Sequence, residues 1–375
     1  MTERAGRDGV AVVRLMLEEF RSYPSLRLEV DPRPVVLTGP NGAGKTNILE
    51  ALSFLAPGRG LRRARLDDVA RREAGEGAAW AVAARLDLAA GALDIGTGRE
   101  AGSERRTVRI SGEPAKSQSA LAEVVSLVWL TPSMDRLFGD GAGGRRRFLD
   151  RLVLGLDAAH ARRSAAYEHS LRERARLLSD GRTDDEWLTA LERTMAREGV
   201  AIAAARIAWA ARLDAACRER VGPFPAASVA LEGVIETWLA TIPEDEAEAR
   251  FAAALADSRS RDGATIGPHR SDLLLSHVDR NLPVEQCSTG EQKAVLVRLL
   301  LAQARVRRAE RGQAPLMLLD EVVAHLDEER REALFDELAA LPGQSWLTGT
   351  DAALFAPLAG RAQMFRLEAG ALAPV

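Results

Sequence analysis

Gly39-Pro40-Asn41-Gly42-Ala43-Gly44-Lys45-Thr46 directly follows the short apolar run Val35-Val36-Leu37-Thr38 and opens a helical stretch from Thr46 to Leu55. The octet fits G-x-x-x-x-G-K-[ST] completely and lies in the strand, loop, helix context that this pattern requires. Its glycines let backbone N–H groups turn inward around phosphates, and the helix start adds the positive end of its dipole. In such a loop Lys45 reaches the β and γ phosphates of a nucleoside triphosphate, and the Thr46 hydroxyl supplies an oxygen to Mg²⁺.

A phosphate loop of this kind needs an aspartate at the end of a second buried strand. Leu316-Met317-Leu318-Leu319-Asp320-Glu321 supplies it: four apolar residues, then adjacent carboxylates. Asp320 is the expected Mg²⁺ ligand, and Glu321 the general base that receives a proton from the attacking water. Upstream, Ser288-Thr289-Gly290-Glu291-Gln292-Lys293 precedes an amphipathic helix from Ala294 to about Arg308. A serine and a glycine at a helix start present hydroxyl, backbone N–H and dipole to an anion, although the same residues also spell an ordinary capping box.

From these motifs the rest of the chain falls into place. Val12–Leu17 and Leu26–Val30 alternate apolar and polar residues around Arg21-Ser22-Tyr23-Pro24, predicting a hairpin. Further strands are expected at Trp80–Leu88, Thr107–Ile110 and Ser126–Leu130, with glycine-rich turns between Gly91 and Gly102. Between Arg145 and about Ala256 the spacing becomes helical, and from Gly267 strand and helix alternate again, with buried strands at Pro315–Leu319 and Ser345–Leu347. The expected organisation is therefore residues 1–135 as one half of a head, 136–265 as a helical insertion lobe, and 266–375 as the other half. The expected fold is α/β, a mixed sheet with an antiparallel β lobe, assembled from both chain ends.

Composition limits the function classes. At 375 residues, 46% hydrophobic and 28% charged, the chain is neither disordered nor low-complexity. No apolar stretch approaches the ~18 residues of a membrane span, and Met1–Gly9 lacks a signal-type apolar region, so a cytoplasmic protein is expected. Cys217 and Cys287 cannot build a disulfide framework or a thiolate zinc site. The formal charge of −3 offers no global attraction to polyanions, so nucleic-acid contacts must come from local patches. Among 51 basic residues only Lys45, Lys116 and Lys293 are lysines, and two of these lie in the motifs above, where a compact ammonium matters.

The order of phosphate loop, long insertion, serine-glycine segment, aspartate-glutamate strand and Ala324-His325-Leu326-Asp327 resembles the chromosome-maintenance (SMC-like) branch of the ATP-binding-cassette ATPases. Within that branch the chain resembles the RecF family over nearly its whole length. The resemblance rests on Phe20-Arg21-Ser22-Tyr23, the Gly39–Glu50 block with Thr46-Asn47 and Leu49-Glu50, Arg145-Arg146-Arg147-Phe148-Leu149-Asp150, Gly267-Pro268-His269-Arg270 and the two carboxy-terminal motifs. It implies an ABC/SMC-type head in which ATP is held by Gly39, Pro40, Asn41, Gly42, Ala43, Gly44, Lys45, Thr46 and Asn47. Two heads then close on ATP, with Ser288, Gly290 and Asp327 of one facing the phosphate loop of the other. Lys45, Glu321 and Ser288 are the expected catalytic residues, Thr46 and Asp320 the Mg²⁺ ligands. The cassette-type histidine after the last strand is replaced by Thr348-Gly349-Thr350-Asp351, with Thr350 in the polar sensor position. Departures are Glu291 for a common glutamine, Ser271 for an acidic residue, and Pro132-Ser133-Met134-Asp135 for a more acidic segment.

Two arginine clusters are candidates for DNA backbone contact: Arg59, Arg62, Arg63, Arg65, Arg71 and Arg72, and the run Arg145, Arg146 and Arg147. Both also admit a simpler reading, the first as solvated surface and the second as salt bridges within the insertion. Aromatic residues make up only 5%, and none interleaves with either cluster, which favours backbone-directed over base-reading contact. The resemblance implies recombinational repair of gapped DNA and replication-fork maintenance, promoting RecA loading with RecO and RecR, by an ATP-dependent homodimer near the nucleoid. The competing readings are a transporter-type nucleotide-binding subunit and an SMC-like tether. The 241 residues between Thr46 and Ser288 are too many for the first and too broken for the long arm of the second.

Overall fold

The computed structural model describes residues 9–180, 185–220, 222–259, 264–368 and 370–374. They form two compact units: Met1–Asp135 with Val221–Phe224 and Thr289–Val375, and Arg136–Arg220 with Pro225–Ser288. The first unit begins with β1 (Ala11–Phe20) and β2 (Tyr23–Glu29), an antiparallel hairpin turning at Arg21-Ser22. After it come β3 (Val35–Thr38) and α1 (Lys45–Ser53). Next along the chain are β4 (Trp80–Leu88), β5 (Gly91–Arg99), β6 (Thr107–Ile110), β7 (Glu113–Pro114), the single turn α2 (Leu121–Val124) and β8 (Leu127–Leu130).

Six of these strands make an antiparallel lobe in the order β2-β1-β4-β5-β6-β7. The segment expected to be glycine-rich turns is instead β5, paired along its whole length with β4. Its glycines are demanded by packing: a Cβ on Gly98 would stand 2.4 Å from the Trp80 carbonyl oxygen. Phe20, Phe54 and Trp80 pack edge-to-face or tilted with ring centroids 5.1–6.0 Å apart, tying this lobe to the end of α1.

The second unit holds α3 (Ala142–Leu154), α4 (Ala159–Ser179), α5 (Asp185–Arg218), β9 (Ala227–Glu232), α6 (Val234–Leu239), α7 (Glu244–Asp257), β10 (Asp272–His277) and β11 (Leu282–Pro283). Tyr167, Met195, Val200, Ile235 and Phe251 form its core. The helices α4 and α5 are joined by a buried Arg174–Glu192 pair at 2.9 Å. The chain returns to the first unit at Thr289, later than the expected residue 266. The reason is that β10 and β11 pair with β9 in a separate antiparallel sheet, so the insertion contains strands as well as helices.

Back in the first unit, α8 (Thr289–Arg311) leads to β12 (Leu316–Leu319), α9 (Glu328–Ala340), β13 (Ser345–Gly349), β14 (Gln363–Glu368) and β15 (Ala371–Pro374). The second six-stranded sheet has the order β15-β14-β3-β13-β12-β8, parallel except for β15. Since β3 and β8 precede the insertion and β12 to β15 follow it, neither chain end can complete this sheet alone. The fold is α/β, and the carboxyl ends of β3, β12 and β13 lie side by side, where open parallel sheets bind ligands. Among the described residues no helix is long and apolar enough to cross a membrane.

Candidate nucleotide-binding site

The loop from Gly39 to Gly44 links β3 to α1 and is forced to be glycine at its two ends. A Cβ on Gly39 (φ 145°) would lie 2.2 Å from the Leu367 carbonyl oxygen, and one on Gly44 (φ 106°) 2.5 Å from the Tyr23 hydroxyl. That hydroxyl donates to the Gly44 carbonyl at 3.2 Å, so the Tyr23 of the amino-terminal hairpin braces the loop. Pro40, Asn41 and Gly42 are exposed at the tip, and Ala43 is half-buried.

Lys45 is buried, its ammonium donating to the Gly39 and Pro40 carbonyls at 2.8 and 2.9 Å. Burial pushes its pKa below the usual lysine value, and the nearby Glu321 and Asp320 carboxylates pull the other way. The hydroxyl of Thr46 donates toward both Asp320 oxygens, at 2.9 and 3.1 Å, although 274 residues separate the two. Hydroxyl and carboxylate thus face one point, a hard-oxygen donor pair of the kind Mg²⁺ takes when phosphates and water complete its shell. Among the described residues no group of three or more His, Cys, Asp and Glu side chains forms a metal site by itself.

Asp320 is buried and also accepts from Thr348 at 2.7 Å. The same Thr348 hydroxyl accepts the Glu321 backbone N–H at 3.0 Å. Glu321 itself adopts the left-handed region, φ 52°, uncommon for a residue with a side chain and costing on the order of 1 kcal/mol or more. Thr348 thus joins the backbone of Glu321 to the Asp320 carboxylate, whereas Thr350 is exposed one step beyond β13.

Asn47 lies in the first turn of α1, donating to Ser22 at 2.8 Å and accepting from Arg62 at 2.7 Å. Arg62 also pairs with Glu50 at 2.8 Å, and Arg21 binds the same fully buried carboxylate at 2.6 and 2.8 Å. Of the first arginine cluster, Arg59, Arg62, Arg63 and Arg65 are all exposed, and Arg62 is in addition held against α1 by its bonds to Asn47 and Glu50. Gln118 accepts from the Gly58 N–H at 3.1 Å, away from the phosphate loop's own bonds.

Ser288 is exposed immediately before the first residue of α8, Gly290 is half-buried, and space around it is open: a Cβ there would meet nothing within 4 Å. Lys293, one turn on, is buried and faces Asp135 at 3.7 Å. Burial lowers its pKa, opposed by Asp135 and by Glu321. Asp327 caps α9 through the Arg330 N–H at 2.8 Å with its side chain half exposed. In the second unit Arg145 is clamped to Asp272 at 2.6 and 2.8 Å, and Arg146 donates to the Ser271 carbonyl at 2.8 Å.

Comparison with known proteins gives the site its context. Residues 11–347 match the family model described as the RecF/RecN/SMC N terminal domain. Curated relatives called DNA replication and repair protein RecF are 51% identical in Brucella suis, covering 97% of this chain and 96% of the relative. In Mesorhizobium japonicum the figures are 50%, 97% and 97%. Among solved structures, one described as the recombination mediator protein RecF with ATPrS in the RecFOR pathway superposes with a TM-score of 0.83 at 19% identity, covering 99% of both chains. The SMC head domain of Pyrococcus furiosus gives 0.55 at 15% identity, covering 98% of this chain and 96% of that one.

Proposed function

The chain belongs to the RecF/RecN/SMC family, as a RecF-type DNA replication and repair protein of the ABC ATPase class, and on that footing we propose that it is an ATP-gated DNA clamp. ATP drives two copies together at gapped or single-strand/double-strand junction DNA, hydrolysis releases them, and with RecO and RecR the clamp promotes loading of RecA, in the cytoplasm at the nucleoid. The observation that carries the reading is the convergence of Thr46 with Asp320 beneath a glycine-constrained loop, with Ser288 exposed at the head of α8.

Each residue then has a physical task. Lys45 and the loop N–H groups hold the β and γ phosphates, and burial of the ammonium strengthens that attraction. Thr46 and Asp320 would hold Mg²⁺, which when bound offsets charge on the phosphates. Glu321, aimed by its left-handed backbone and tied to Thr348, takes the proton of the attacking water. Ser288, Gly290 and Asp327 of one copy meet the phosphates and loop of the other, so losing the γ phosphate removes one of two sets of donors. Turnover is slow, requires the dimer and is stimulated by DNA. Arg59, Arg63 and Arg65 contribute backbone contacts to DNA.

Sedimentation of the purified chain with and without ATP, and with gapped duplex added, tests this. A monomer that becomes a dimer only with ATP, and carries DNA in that state, supports the reading. A species whose mass ignores ATP overturns it.

A further inference from the structure

The three arginines at the start of α3 end in very different surroundings. Arg145 spends its charge on Asp272, and the other acidic residue of this region, Asp150, is taken up by Arg206 at 2.9 Å and His160 at 2.8 Å. Glu285 also lies on the side of Arg145. Arg146 and Arg147 have no carboxylate in ion-pair range among the described residues, yet their guanidiniums converge. An atom at the Cβ position of Gly143 would lie 3.3 Å from an Arg147 terminal nitrogen and 3.7 Å from one of Arg146.

Two like charges aimed at one spot repel, and Arg146 is partly desolvated as well. Burial lowers its pKa and the neighbouring Arg206 lowers it further, Asp272 and Asp150 act the other way, and Arg147 adds the smallest lowering. The Ser271 carbonyl that Arg146 binds adjoins the turn carrying Arg270, which is exposed and has no ion pair among the described residues. The charges of Arg270, Arg146 and Arg206 all act on His269 in that turn. Glycine at 143 thus keeps the helix start clear of side-chain atoms where the two guanidiniums meet.

We propose that Arg146 and Arg147, with Arg270 on the adjoining turn, form a phosphate-binding site on the second unit, occupied by the backbone of DNA. The guanidinium fork matches a phosphate in shape and charge. A protein partner would call for an aromatic or apolar anchor, and the large exposed apolar side chains of this unit, Trp187, Val234, Leu274, Val278 and Leu282, belong to other elements. The inference rests on the DNA-binding reading above but concerns a surface separate in sequence from Arg59–Arg65.

The test is fluorescence anisotropy of a labelled gapped duplex on the full chain with saturating ATP, over a salt series. Arg147→Gln with Arg270→Gln removes two charges that make no ion pair among the described residues, so the fold is retained. Gly143→Asp places a carboxylate where the anion would sit, at a helix start that tolerates it. The double variant is expected to lower the log–log salt slope by about 1.8, roughly 0.9 for each phosphate no longer neutralised, and affinity at least tenfold. Gly143→Asp is expected to weaken binding comparably. Salt slopes equal to the parent in both variants overturn the site while leaving DNA binding intact. Equal slopes together with variant-sensitive retention of polyglutamate would reassign it to a protein partner. No DNA binding by the parent protein overturns the functional reading and this inference together.

Discussion

Thr348 donates to Asp320 across 2.7 Å from the neighbouring strand, and with the same oxygen accepts the backbone N–H of Glu321. One hydroxyl thus fixes the candidate metal ligand and the candidate base. Thr348→Val keeps the shape and loses both bonds, leaving a buried carboxylate one donor short. It should cost about 1–3 kcal/mol of stability in denaturant titrations and lower kcat for ATP more than it changes KM. Thr348→Ser should recover most of both. Unimpaired turnover in Thr348→Val would detach this residue from catalysis.

Lys45→Met removes the ammonium while keeping an unbranched side chain that fills the same space. ATP-dependent dimers should vanish in sedimentation, with the ATP-free monomer and its thermal midpoint little changed, because the Lys45 bonds are only to loop carbonyls. Full-strength dimers at saturating ATP would contradict the loop assignment.

Glu321→Gln preserves size and the Thr348 bond, which runs to the backbone of residue 321 and survives the change. The expected outcome is a long-lived ATP-bound dimer with hydrolysis lowered by about two orders of magnitude or more. Turnover at the parent rate would mean that another group activates the water.

What could be foreseen and what could not divide along physical lines. The phosphate loop and the Asp320-Glu321 pair are local patterns, fixed by glycine geometry and by a buried strand ending in carboxylates, and they were legible. Which threonine meets Asp320 depends on strand register: Leu319 lies opposite Leu347, so position 320 faces position 348. No local pattern carries that. The strand β5 was hidden because its glycines look like turn residues, while the crowding by Trp80 that requires them comes from a partner strand. Arg62 read as surface charge, since nothing nearby in sequence shows that Glu50 is wholly buried and must be paired. The same holds for the two most family-like segments: Arg206, from the middle of α5, bonds Asp150 of one and the Pro268 carbonyl of the other.

The division of labour among the first arginines follows from that pairing. Arg59→Gln with Arg65→Gln should weaken DNA binding and flatten its salt dependence without changing stability, as both are exposed. Arg62→Gln should instead destabilise the fold by about 1–3 kcal/mol, because Glu50 would keep only Arg21. Chemical denaturation and anisotropy on the two sets should give opposite patterns, and matching patterns would refute the distinction.

The Asp150 cluster makes the last prediction, one of pH. Burial would raise the Asp150 pKa, but the hydrogen bond from His160 and the charge and hydrogen bond of Arg206 outweigh it and hold the carboxyl at about 2, below its usual 3.8. A carboxyl whose folded pKa is depressed contributes stability that is fully present above its unfolded pKa and is lost as pH falls through the folded value. The contribution, on the order of 1–2 kcal/mol, should therefore be constant above about pH 5 and disappear between about pH 4 and 2. Asp150→Asn should be less stable than the parent at pH 7, and its stability should fall less steeply over that acid window. Parallel pH–stability curves for the two proteins would show that Arg206 and His160 do not stabilise the ionised form of Asp150.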